Sequence, residues 1–462
     1  MNAVHAAIAA NRFGLGARPG DLARIQSDPR GWLVLQIDRA QAPPAQVRGL
    51  ETSATILAAF QEDFMERREG KDPVAEFGRM IRQDLVSHYF EQVKARVAAA
   101  VETEQPFRER LTHFWTNHFA VSADKPPVTG LAGTLENEAV RPHLSDYFAD
   151  MLLAVVRHPA MLSYLDNQRS IGPDSPLARR AERRLRGTNR SVGINENLAR
   201  EILELHTLGV GSGYTQDDVI ELAKALTGWS LSGGREPFAA GAPGHFAFRP
   251  FMHEPGTRRV LGKRYPDDGE RQAERILREL ALHETTARHL AGKLARHFVS
   301  DEPPAALTDR LARRFLDSGG YLPALYGALI EAPEAWNEPL AKYKTPNDFV
   351  LSALRAMRFV PEDSRMLVGF FDALGQRTYG PGSPAGWPDQ QANWDGSDAL
   401  LKRVEWAIAV GDRIGDLFEP AALARDVLGA VLSEHTQRAI QQAASAGQGL
   451  ALLLASPEFQ RR

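Results

Sequence analysis

Apolar residues recur at three- and four-residue spacing, rather than alternately, through most of this chain, and Gly, Pro and Asn mark the breaks between those stretches. That spacing gives a helix one face for a core, so it predicts a mainly α-helical, multi-helix body. Helices are expected near 3–10, 20–39, 50–68, 73–101, 106–119, 131–157, 196–209, 216–228, 269–281, 284–300, 305–317, 321–331, 346–358, 363–374, 398–416, 421–431, 434–445 and 447–455. With 462 residues, 43% of them hydrophobic, the chain has ample core material. Its length fits about three domains or one large helical body with insertions. The division expected is 1–229, a helical region holding the candidate polar site, 230–268, an insertion, and 269–462, a second helical region; one continuous domain is the other reading.

Thr215-Gln-Asp-Asp218 and Thr345-Pro-Asn-Asp348 each put a hydroxyl at an N-cap with an acid three residues on, and Pro346 adds the favoured first helical residue. Two stretches resist helical reading. Residues 230–258 are broken by Gly and Pro, and the alternation in HFAFR followed by RRVLGKRY predicts a small β-hairpin near 245–265 on a long loop. Residues 375–397 form a second Gly/Pro-rich loop with Trp387 and Trp394 embedded, and loops this long in a compact body usually carry function.

Several function classes fall away. Lys and Arg number 55 against 58 Asp and Glu, a net charge of -3, so no bulk field draws the chain to nucleic acid or an anionic membrane. Zero cysteines exclude disulfides, thiolate metal sites and a Cys nucleophile. No basic start followed by an apolar stretch opens the sequence, and the run LALLLA at 450–455 is too short to span a bilayer, so the expectation is a chain without a signal peptide or membrane span, cytoplasmic by default. Walker, G-x-G-x-x-G, H-E-x-x-H and G-x-S-x-G signatures are absent. The loop sequence N-W-D-G-S-D at 393–398 fails as a calcium loop, because aligning Gly396 with the sixth position puts Gln391 first and Lys402 twelfth.

Two helical segments carry the candidate chemistry. In 106–122, Phe107, Leu111, Phe114, Trp115 and His118 share one stripe at 100° per residue, so His118 faces with the aromatics, as a core histidine or as a ligand or base toward a pocket. His113 lies five residues before it, which is the wrong spacing for two helical histidines to share a metal. In 195–211, Asn197, Arg200, Glu201 and Glu204 form a narrow polar stripe, opposite Leu198, Ile202, Leu203, Leu205 and His206. A solvated stripe is an ordinary charged surface. A buried one needs Arg200, a shared proton or a hard divalent cation to stabilise its carboxylates, and then Glu201 and Glu204 become acid/base or metal-ligand candidates.

Weaker clusters remain. Glu136, Glu138, Arg141 and His143 gather at 136–143, at a density that chance also produces in a chain with 13 His and 58 acids. Residues 178–190 hold six Arg and one Glu, a basic run that suits a polyanion or a solvated surface. Trp387 and Trp394 suit stacking on a sugar or simple anchoring in an apolar socket.

NRFGLGARPGDL at 11–22, FWTNHFAVS at 114–122, NENLAREILELHTLGVGSGYTQDDV at 195–219, ALTGW at 225–229, FRPFMHEPGTRRVLG at 248–262, KLARHFVSDEPP at 293–304 and GQRTYGPGSPAGWP at 375–388 carry a family signal in their order. Over nearly its whole length the chain resembles the bacterial domain-of-unknown-function 1800 family. The resemblance implies a helical fold without an agreed activity, an exported or envelope setting and a sulfatase-like partner. It also marks Asn197, Arg200, Glu201, Glu204, His206, Asn117 and His118 as characteristic polar positions.

Two functional expectations follow. One is a hydrolase-like enzyme acting on a saccharide or anionic ester, with Glu201, Glu204 and His118 catalytic, and Arg200, Asn197, Asn117, His206 and Trp387 binding substrate. A divalent cation, if one is used, would sit on Glu201 and Glu204. The other is a non-catalytic helical platform that holds a protein or glycan partner through its two long loops, nucleic acid being disfavoured.

Overall fold

Helix starts in this chain are chemically marked, and the backbone follows them. The computed structural model describes residues 2–37, 42–68, 74–185, 193–233, 241–337 and 339–462, with side chains described for all of these except 66–82 and 183–185. Among the described residues the fold is mainly α-helical, with only two small antiparallel strand pairs. No helix there is long and apolar enough to cross a membrane.

The elements that frame the site are α1 (Val74–Glu102), α2 (Pro106–His118), α3 (Val128–Leu135), α4 (Asn197–Glu201), α5 (Glu284–Phe298) and α6 (Pro346–Met357). Helix α1 packs against α3 and α6. The expected caps form unequally. Thr215 and Asp218 make a complete capping box. Thr345 receives the Asp348 N–H, but the Asp348 carboxylate is drawn instead to Arg110 at 3.1 Å and Arg462 at 2.9 Å.

One cluster of buried apolar side chains runs from Ala6 to Phe459. Its centre is aromatic: Phe13 lies 5.8 Å from Phe298, Trp115 lies 6.1 Å from Phe119, and Phe119 lies 6.2 Å from Phe148, measured between ring centroids. Phe107 and Phe114 of α2 lie 5.6 and 6.4 Å from Phe298, and these contacts fix α2 against α5. Buried arginines tie distant backbone to this body, with Arg12 donating to the Ala335 carbonyl and Arg355 to those of Gly16 and Ala100. The last residues return to the centre, where Arg462 exchanges backbone hydrogen bonds with Lys342.

The elements depart from expectation in several places. The stretch 20–39 is two short helices, Asp21–Ile25 and Pro29–Val34, because Asp28 caps a new start at Pro29. The stretch 131–157 is not one helix: α3 ends at Leu135, a π turn covers Glu136–Val140, a 3-10 turn covers Arg141–His143, and a new helix spans Phe148–Arg157. The break coincides with Glu136 and Arg141 turning inward to a buried ion network. The small hairpin expected near 245–265 forms within RRVLGKRY itself, and HFAFR pairs elsewhere. Phe246–Phe248 pairs with Trp229–Leu231, and Arg258–Val260 forms its own hairpin with Lys263–Tyr265 through Leu261 and Gly262, both at positive φ. Short helices at Pro159–Tyr164 and Pro176–Leu185 were not expected. Residues 234–240 of the first long loop, and the side chains of the basic run from 183 onward, lie outside the described residues.

Candidate functional site

Helix α5 carries His289, Lys293, Arg296 and His297 at i, i+4, i+7 and i+8, which is one helical face. Its other face, with Leu290, Leu294 and Phe298, is buried in the core. Three residues of the polar face, Lys293, Arg296 and His297, line a cavity of about 290 Å³. The opposite wall is the second Gly/Pro-rich loop, contributing Gln376, Tyr379, Trp387 and Asp389 among others, and α2 supplies Arg110, His113, Asn117 and His118.

The loop is seated by Asn117. The Asn117 amide donates to the Trp387 carbonyl at 2.9 Å and accepts the Trp387 N–H at 2.7 Å. A Cβ on Gly386, whose φ is +79°, would meet the Asn117 carbonyl oxygen at 2.3 Å, so glycine permits this close approach. Asn117 thus spends both ends of its amide on backbone, and Trp387 is delivered to the cavity with its buried indole N–H unpartnered.

The seated loop also brings Asp389 to α5. His297 Nδ1 lies 3.0 Å from Asp389 Oδ2, while buried Nε2 makes no hydrogen bond among the described residues. Burial lowers the His297 pKa and outweighs Asp389, with Arg462 adding to the fall, so the ring titrates at about 4. Burial raises the Asp389 carboxyl, yet His297, Lys342 and Arg462 together hold it at about 2. The pair is therefore a neutral imidazole oriented by a carboxylate, with Nδ1 carrying the proton and Nε2 a free lone pair. Lys293 is pushed down to about 8, first by burial and further by Arg296, against the pull of Asp389.

Beside this open arrangement lies a closed one. Glu109 takes a two-point hydrogen bond from Arg141, both contacts 2.6 Å, and Glu136 takes Arg141 at 3.0 Å and Arg96 at 2.9 Å. Glu109, His113 and Glu136 place ligand atoms within 4.8 Å of one another, the spacing a metal ion would use. They do not fit a resident cation well, because two guanidinium groups already occupy the carboxylates and balance their charge. Burial raises the Glu109 carboxyl, and Arg141 more than reverses that, holding it far below the usual carboxylate range. His113 Nε2 is 3.5 Å from Glu109, too long for a good hydrogen bond.

Of the residues singled out in sequence, His118, Asn117 and Trp387 line the cavity. His118 is fully buried with Nε2 3.2 Å from the His206 carbonyl, and its pKa falls well below the usual value through burial, Lys293, His206 and His289. His206 is buried with neither ring nitrogen hydrogen-bonded among the described residues, and burial, with Lys293, takes it to about 3. Asn197, Arg200, Glu201 and Glu204 are outside the cavity. Asn197 is exposed, and Arg200 links Glu196 at 3.2 Å, Glu204 at 3.4 Å and Gln216 at 2.9 Å along the surface of α4 and the π turn Ile202–His206 that follows it. Burial and Glu204 raise the Glu201 pKa. Neither glutamate belongs to a group of three metal-type ligands among the described residues.

The sequence reading missed Lys293, Arg296, His297 and Asp389. The first three had a signal, a basic i, i+4, i+7, i+8 stripe within KLARHF and the residues before it. Asp389 had none, since 92 residues separate it from His297.

A family model described as "Protein of unknown function (DUF1800)" matches residues 8–461. No curated protein and no solved structure matches the chain. The chain belongs to the DUF1800 family.

Proposed function

For this member of the DUF1800 family we propose hydrolysis of a small anionic ester inside the cavity, with His297 as general base. The observation that carries the reading is the His297–Asp389 pair on a residue that lines the cavity, one ring nitrogen held at 3.0 Å and the other buried without a hydrogen bond among the described residues. An imidazole so oriented, and neutral at pH 7, takes a proton from water at Nε2. The water oxygen then bonds to the electrophilic centre of the ester. As the ester C–O, P–O or S–O bond breaks, its electron pair goes to the leaving oxygen, which receives the proton from Nε2. One water is consumed, one acid and one alcohol are released, and His297 returns to its starting state. The glutamates of the α4 stripe take no part in this scheme.

The test is a panel of chromogenic phosphate, sulfate and carboxylate esters, assayed with wild-type protein and with His297→Ala. Loss of His297 lowers kcat by about 10²–10⁴-fold while circular dichroism stays native. Unchanged turnover in the folded variant overturns the base assignment, and no turnover by wild-type protein across the panel overturns the enzymatic reading.

A further inference from the structure

We infer that Lys293 and Arg296 form a subsite for a compact dianionic oxyanion, the phosphate-type group by which the ligand of this cavity is held. The inference rests on the cavity being the functional site, and it adds the chemical class of what enters. It follows from a count of charges and partners along the wall. Arg96 is paired with Glu136 at 2.9 Å, Arg110 with Asp348 at 3.1 Å and Arg377 with Asp124 at 3.2 Å. The wall's two acids are also engaged, Asp348 by Arg110 and Arg462, and Asp389 by His297, Lys342 and Arg462. Lys293 and Arg296 are left over. Neither has an ion pair or hydrogen bond among the described residues, and buried Arg296 Nε is unpartnered.

Two surplus cations three residues apart on one helical face reach a common point. Both residues are partly buried, and holding two partly desolvated charges without a counter-charge costs free energy that a dianion offsets more fully than a monocarboxylate. The neighbouring unpartnered groups suit the same ligand. Among the described residues, buried Trp387 Nε1 has no acceptor and the buried Thr116 hydroxyl has no partner, and both residues line the cavity. A space of about 290 Å³ admits the oxyanion with a small organic group attached, not a polymer chain. Arg supplies a planar fork and Lys a point charge, a combination that grips several oxygens of one tetrahedral group.

The experiment is calorimetric titration of inorganic phosphate, sulfate and acetate into wild-type protein, Lys293→Met, Arg296→Met, His297→Ala and the exposed control Lys402→Met, with thermal melts of each. Phosphate or sulfate is expected to bind one per chain and raise the melting temperature, with acetate at least about tenfold weaker. Lys293→Met and Arg296→Met each weaken binding about tenfold or more, and Lys402→Met leaves it unchanged. Lys293→Met without ligand melts no lower than wild type, because it removes an unpaired charge and not a contact. Equal affinity of Lys293→Met and wild type, equal affinity for acetate and phosphate, or no anion binding at all overturns the subsite. A lower melting temperature for Lys293→Met does the same, by revealing a structural partner. His297→Ala separates the two proposals: anion binding retained with turnover lost supports both. Anion binding by a protein that turns over no ester leaves the subsite standing and removes the base, while turnover of neutral esters without anion binding does the reverse. If inorganic phosphate and sulfate both bind, the shared double charge is what the subsite reads, and phosphate monoesters are then turned over in preference to sulfate monoesters, which carry one charge.

Discussion

Helices α4 and α5 each carry a four-residue polar face, mixed in charge on α4 and wholly basic on α5, and treat them in opposite ways. On α4 and its π turn, Arg200 and Glu204 are 37% and 24% exposed, and the charges link to one another and to Gln216 along the surface. On α5, Lys293, Arg296 and His297 turn into a cavity, and the first two find no partner among the described residues. What distinguishes a site from a charged surface is thus not the density of charge on a helix. It is a mismatch between charge and partners that appears only once a second element covers the face, here the loop seated by Asn117.

The buried histidines around α5 sharpen this contrast most strongly. His206 titrates at about 3 and His297 at about 4, both below the 6.5 of an unfolded chain, and His118 shifts in the same direction. As pH falls below 6.5 the unfolded chain binds protons that the folded one refuses, so stability is complete above that pH and is lost on the way down toward 4 and then 3. Each such histidine contributes roughly 1.4 kcal/mol per pH unit, so His206 and His297 together account for roughly 3 kcal/mol per unit. Urea melts between pH 7.5 and 5 are expected to show a steep loss of stability below pH 6.5. His206→Phe flattens the slope by about one proton, whereas replacing an exposed histidine such as His435 leaves it unchanged. A pH-independent midpoint over that range contradicts the burial of these rings as neutral groups.

The closed ion network beside the cavity supplies the next test. Arg141 is the partner of Glu109 and shares Glu136 with Arg96. Arg141→Met leaves Glu109 buried without its counter-charge, and costs about 3–5 kcal/mol in a denaturant melt at pH 7. Adding Glu109→Gln recovers much of that loss, because the stranded charge is gone. A single-variant loss under about 1 kcal/mol would show that the carboxylates find other partners, and would reopen the Glu109, His113 and Glu136 group as a cation site. Lys293→Met, with no loss of stability expected, is the counter-example on the same cavity wall.

Much of the helical architecture was legible because it is local. Helix Glu284–Phe298 was expected at 284–300, and Pro346–Met357 at 346–358, since apolar spacing and caps are written within a few residues of each element. The failures occur where distant charges redirect the chain. The reading of 131–157 as continuous helix could not anticipate that Glu136 and Arg141 would turn toward Arg96 and Glu109. The second half of the Thr345 cap was lost to Arg110 and Arg462 for the same reason. The site divides likewise. His118 and its aromatic stripe were readable from one helix, and the α5 stripe was present to be read. The pairing of His297 with Asp389 depends on a loop fold that no local pattern encodes.

The smallest effect is expected on α4, and it is the one that closes the comparison. Glu201 is half-buried beside Glu204, and burial together with that neighbour raises its pKa, so the pair is under mutual repulsion that Arg200 only partly relieves. Replacing both with Gln removes the repulsion and also breaks the surface link to Arg200 at 3.4 Å. These contributions oppose one another and each is within about 1 kcal/mol at a partly exposed site, so the double variant should melt within about that margin of wild type. If α5 holds the chemistry, anion binding and ester turnover in Glu201→Gln/Glu204→Gln also stay within about twofold of wild type. A loss of turnover of about a hundredfold in a variant that remains folded would return catalysis to the glutamate stripe and leave the cavity as a binding pocket only. Because neither glutamate lines the cavity, the His297 and the glutamate variants test the two places independently.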